Sequence, residues 1–188
     1  MQGARWGLVG WWICLLLAGC AMPGDAAAVA KIGVIAPFEG AGRPLGYAVL
    51  PAIKAAAQEA NEQATLGHYR VLVVAFNDDL DATRAAAQAR ALALDPEVIA
   101  VLGPWSQAPA DAAGPILAAA GLPFIARGDL AVPIAGEKWE EAALSAAAAR
   151  AGDDARRLLA ALAADIRLHG RPSQARVETW PATSRQQP

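Results

Sequence analysis

Two kinds of apolar run alternate along this chain. Lys31-Ile32-Gly33-Val34-Ile35-Ala36 is short, continuous and stopped by Pro37, the pattern of a strand buried on both faces. Leu45 to Ala64 carries apolar residues at helical spacing, and Pro51 inside it predicts a kink or a late start. Tyr69 to Phe76 is a second strand run, centred on Val71-Leu72-Val73-Val74. A helix is predicted from Asp81, a suitable N-cap, to Leu94, where Asp95-Pro96 ends it. Val98 to Leu102 is the third strand, stopped by Gly103-Pro104. Gln107 to Ala120 is the third helix, with Gly121 just past its cap. Pro123-Phe124-Ile125-Ala126 is a shorter fourth strand.

Continuous apolar strands separated by helices imply a parallel sheet covered on both faces. Right-handed crossovers leave few topologies for it, led by a three-layer, doubly wound, flavodoxin-like α/β sheet in the order 2-1-3-4. Past Leu130 the rhythm changes. Trp139 to Arg150 reads as an alanine-heavy helix that Gly152 breaks. Asp153 to Leu168 is a better helix, with Leu158, Leu159, Leu162 and Ile166 on one stripe. Residues 31–170 are thus the predicted lobe. Residues 171–188 are polar, hold Pro172, Pro181 and Pro188, and show no period, which predicts a disordered tail.

The first residues follow a different logic. A basic start through Arg5, an apolar run from Trp6 to Leu17 and a small-residue site predict an export signal over residues 1–19. The run is shorter than the roughly 20 residues a membrane span needs. Its closing tetrapeptide, Leu17-Ala18-Gly19-Cys20, resembles the lipobox of bacterial lipoproteins. That resemblance implies lipidation of Cys20 and an extracytoplasmic, membrane-anchored location. Residues 20–30, with Pro23, Gly24 and Asp25, form a predicted flexible tether to the first strand.

Composition narrows the picture further. The hydrophobic share of 55% is inflated by alanine, a strong helix former and a poor core filler, so helices should pack closely on the sheet. Lys and Arg number 16 against 18 Asp and Glu, which gives no electrostatic reason to expect a nucleic-acid partner. Cys14 lies in the signal and Cys20 at the lipid site, leaving no thiol pair for a disulfide or a metal cage. His68 and His169 lack metal-ligand spacing. No nucleophile–base pair falls in the loops considered next, so neither an enzyme nor a cofactor is implied.

In open α/β sheets, ligands bind at the carboxyl ends of the strands where the strand order reverses. Here those segments are Pro37 to Pro44, Gly103 to Gln107, and Arg127-Gly128-Asp129. The helices that follow offer free N–H groups to an anion such as an amino acid carboxylate. Asp78 and Asp79 are read as caps of the following helix rather than as cation ligands. Glu39 and Arg43 can pair on the surface, and Trp105 suits either a ligand wall or packing at a strand end.

Four pieces then follow one another in order and at consistent intervals. They are Ile32 to Pro37, Asn77-Asp78-Asp79, Val101 to Ser106, and Ala113 to Ile125. Together they resemble the amino-terminal lobe of the type I periplasmic solute-binding proteins, the leucine/isoleucine/valine-binding type of ABC transporter receptor. The resemblance covers about Lys31 to Asp129, and Asp153 to Leu168 resembles the late helix that the family returns to this lobe. The sequence that would build a second lobe is missing between them. The resemblance implies binding of a small amino-acid-like ligand and partnership with an ABC permease, or with a second lobe or other protein. The loops at these strand ends then give the expected ligand contacts as Phe38, Glu39, Trp105, Ser106, Gln107, Ala126, Arg127 and Asp129. Ser106 matches the family's hydroxyl after the third strand, whereas Ala126, Arg127 and Asp129 replace the usual serine and threonine after the fourth. Arg127 can hold a carboxylate there and Asp129 an ammonium. A lone lobe also exposes the face that normally meets its partner lobe, which suits an interaction or dimerisation module, and a degenerate remnant that folds poorly is a third reading.

Overall fold

The computed structural model describes residues 27–129, 138–170 and 172. The expected export signal, Cys20, most of the tether and all of the expected tail except Pro172 lie outside these residues. Four strands, β1 (Ala28–Ala36), β2 (Tyr69–Asn77), β3 (Val98–Leu102) and β4 (Phe124–Ile125), form one parallel sheet in the order β2-β1-β3-β4. This is the expected order. β1 begins at Ala28 rather than Lys31, because Ala28, Val29 and Ala30 pair with Tyr69, Arg70 and Val71. The last residues expected in the tether are therefore strand.

Helices α1 (Arg43–Glu62), α2 (Ala82–Leu94), α3 (Gln107–Ala119) and α4 (Glu141–His169) cover the sheet, and a single 3-10 turn at Gly40–Gly42 precedes α1. The core splits along the sheet. Leu45, Val49 and Ile53 of α1 meet Leu158, Leu159 and Leu162 of α4 over one face. Ala85, Ala89 and Leu92 of α2 meet Ala113 and Leu117 of α3 over the other. Small residues on these helices let the axes approach, which is how an alanine-rich chain fills a core. The result is the lobe of a three-layer doubly wound α/β fold.

Several local expectations change. Asp81 caps α2 as expected, its side chain accepting from Arg84 N at 2.7 Å, so the caps also read at Asp78 and Asp79 fall away. Pro51 lies inside α1, and Pro44 in the first turn starts the helix earlier than Leu45. Gly152 does not break the chain's last helix, which runs unbroken through it. Gly152 is buried where α4 crosses α1; a Cβ there would lie 3.6 Å from the Ala52 side chain. Packing against α1 outweighs the helix propensity that glycine lacks.

Candidate functional site

The carboxyl ends of β1, β3 and β4 meet at one end of the sheet and form its mouth. Gly103 ends β3 with a φ of 89°, and a Cβ there would strike the Ile35 carbonyl oxygen and the Trp105 ring. Only glycine allows β3 to leave the sheet so close to β1. The next loop is tied to it, Gly103 N donating to Ile125 O at 2.8 Å and Arg127 N to Pro104 O at 2.7 Å. An antiparallel bridge then joins Ser106 to Asp129, and the Gln107 side chain covers Gly128. The segment before α4 closes on the first loop, where Trp139 Nε1 donates to Ala41 O at 2.8 Å.

Ser106 occupies the N-cap of α3 in extended conformation, yet its side chain makes no capping bond. Its hydroxyl is buried and has no partner among the described residues. Gln107 and Ala108 open the helix, so their N–H groups have no carbonyl of the helix to meet. Uncapped N–H groups beside a buried, unsatisfied hydroxyl form a donor-rich corner suited to a carboxylate. The other predicted residues fall at different depths. Phe38 is half-buried, its N donating to Asn77 Oδ1 at 2.7 Å and its ring edge-on to Tyr47. Glu39 is exposed beside it, and Arg43 lies over the Tyr47 ring rather than against Glu39. Gln107 is exposed and donates to Asp111, and Ala126 is half-buried. Trp105 is 3% exposed and packs into the core.

Arg127 is engaged by Asp154 of α4. Its Nε and Nη2 donate to Asp154 Oδ2 and Oδ1 at 2.9 and 2.8 Å, clamping the β4 loop to α4. The hydrogen bonds it donates to Asp154 hold the guanidinium above its ordinary pKa, fully charged. Arg157 also donates to Asp154 at 2.7 Å. Asp129, exposed on the rim, faces Arg150 at 3.5 Å. Sequence reasoning missed Asn77, Asp154 and Trp139. Asn77 followed a strand and Asp154 sat in an acidic helix start, and both patterns have ordinary local explanations.

A sequence model of the family described as Periplasmic binding protein matches residues 29–171. The chain belongs to the periplasmic binding protein family. Periplasmic binding proteins bind solutes outside the cytoplasm and are not enzymes. A possible leucine/isoleucine/valine-binding protein from Rhodopirellula baltica SH 1 superposes with a TM-score of 0.53 at 29% identity, over 59% of this chain and 30% of its own. The branched-chain amino acid transporter substrate-binding protein LivJ from Streptococcus pneumoniae, solved with isoleucine, is 26% identical over 52% of this chain and 28% of its own, TM-score 0.49. The leucine-binding protein LivK from Thermotoga maritima is 28% identical over 52% of this chain and 27% of its own, TM-score 0.47. No curated protein matches the chain. The chain thus spans less than a third of the length of each of these three structures.

Proposed function

We propose that this chain is a lipid-anchored receptor lobe for a branched-chain or other small amino acid, working with an ABC permease. The observation that carries the reading is the buried, unpartnered Ser106 hydroxyl beside the uncapped start of α3. In this reading Ser106 and the first N–H groups of α3 receive the carboxylate, and Phe38 is the apolar wall. Asp129 faces the ammonium, with Glu39, Gln107 and Ala126 on the rim. Arg127 acts through its clamp on Asp154 and not by contact. The anchor fits the geometry of the lobe: β1 starts at Ala28, the end of the sheet opposite the mouth. A lipid on Cys20 would hold the lobe by that end and present the mouth away from the membrane. A single lobe leaves a ligand half open to water, so the affinity of this chain alone falls in the millimolar range, far from that of an enclosing cleft.

Calorimetry on the chain from residue 20, carrying Cys20→Ser, tests the reading with leucine, isoleucine, valine and a wider amino acid panel. Heat of binding is expected at millimolar ligand, and Ser106→Ala should weaken it about 5–10-fold, the worth of one hydrogen bond. Silence with every amino acid would sink the reading. The engagement of Arg127 by Asp154 favours a second one, in which the mouth docks a partner protein or a second lobe. That alternative expects no heat with amino acids and a self-association that Phe38→Asp abolishes in sedimentation.

A further inference from the structure

Among the described residues β2 is an outer strand, paired with β1 on one side only. Outer strands carry a row of backbone donors and acceptors to which another chain can add. Here a side chain from the end of α1 takes the place of such a chain. Asn61 Nδ2 donates to Val71 O at 2.9 Å, and Val71 N donates to Asn61 Oδ1 at 2.7 Å. One amide thus satisfies both backbone groups of Val71, as a residue of a neighbouring strand would. Because those groups meet Asn61, Val71 turns its backbone away from β1, and alternation along the strand turns Val73 and Ala75 the same way. At the other end, Gln88 Nε2 of α2 donates to Asn77 O at 3.3 Å. Two amides therefore bracket the edge and leave Val73 and Ala75 between them.

The same edge is otherwise suited to a second copy of this chain. Leu72 is a large apolar side chain left 40% exposed. A groove of about 560 Å³ runs between α1 and β2, with Lys54, Gln58, Glu62 and Arg70 among its lining. A copy added antiparallel about a twofold axis at Leu72 would set Val71 against the second copy's Val73. The two Leu72 side chains would then meet on one face of the joined sheet. On the other face, α1 rises about 1.5 Å per residue against about 3.3 Å for β2. Counting from the Asn61–Val71 contact, the axis passes near Gln58 and Glu59, which brings Lys54 of each copy towards Glu62 of the other. This register needs both backbone groups of Val71, the pair that Asn61 occupies.

We propose that Asn61 is a latch on the β2 edge that keeps a second copy of this chain from pairing there. The proposal stands apart from the ligand-binding reading. Sedimentation velocity on the purified chain and its Asn61→Ala variant tests it, with hydrogen exchange as a second readout. Asn61→Ala should form dimers at a concentration at least ten-fold lower than the parent, with slowed exchange at Val71, Val73 and Ala75. Adding Val73→Pro, which removes an outward donor without touching the β1 ladder, should return the variant to the parent's behaviour. An Asn61→Ala chain that is folded by circular dichroism yet sediments as the parent overturns the proposal. So does association indifferent to Val73→Pro, or a parent whose Val73 amide is already protected in a concentration-dependent way. Should Asn61→Ala not fold, Asn61→Leu, which keeps the bulk of the side chain and frees both Val71 N and Val71 O, is read by the same outcomes.

Discussion

Asp78, at the end of β2, is completely buried, with Oδ1 accepting from Leu80 N at 3.0 Å and Oδ2 unpartnered among the described residues. It holds a turn in which Asp79 and Leu80 take φ values of 51° and 58°, and leucine rarely enters that region. Burial pushes its pKa up to about 6 from 3.8. The folded chain therefore keeps a proton that the unfolded chain has lost, so this group's contribution to stability falls as pH rises from about 4 to about 6, then levels. The cost of holding the charge at neutral pH is about 3 kcal/mol. Asp78→Asn, which keeps the acceptor for Leu80, should raise the melting temperature at pH 7.5 and flatten the profile between pH 4 and 7. A lower melting temperature at pH 7.5 would show that the carboxylate is better ionised. At Arg127, chemical denaturation should separate two partners of one carboxylate. Arg127→Ala removes a bidentate bond to a carboxylate that is 4% exposed and should cost about 3 kcal/mol, whereas Arg157, itself 61% exposed, should cost under about 1 kcal/mol when replaced by alanine. Residue types at the mouth were legible in the sequence, but their partners were not. Arg127 and Asp154 are 27 positions apart, and no local pattern joins them. Asp78 and Asp79 looked like helix caps because the left-handed turn that defers the cap to Asp81 depends on buried acceptors.

Elements were the most legible level. β3 and the start of α3 fall where continuous apolar runs and the flanking glycine and proline put them, since those signals act within a few residues. α4 was misread because Gly152 carries opposite meanings for local propensity and for packing. The space around it makes a test. A Cβ at Gly152 meets its nearest atoms, in Ala52 and Arg156, at 3.6 Å, ordinary contact. Gly152→Ala should therefore stabilise the chain by about 0.5–1 kcal/mol, the helix propensity gained, measured by thermal or urea denaturation. A loss instead would mean that α1 and α4 approach more closely in solution.

For the whole molecule, α4 decides whether the lobe is complete. It follows the change of rhythm past Leu130, yet it supplies Leu158, Leu159 and Leu162 to the same core as β1 and α1. Leu158 is 1% exposed, so Leu158→Ala should cost about 2–5 kcal/mol and lower the single melting transition of the whole lobe. A separate, earlier transition for α4 would show instead that it is an appendage. The sequence by itself determined the strands, three of the helices, the parallel sheet and its order, because short apolar runs between helices admit few chiral windings. Tertiary structure alone decided that α4 is one helix, that Arg127 ties the β4 loop to α4, that Trp105 packs into the core, and that Asn61 covers the edge of β2. Each of these rests on contact between residues distant in the chain, whose strength is set by burial and by close approach that no local pattern encodes.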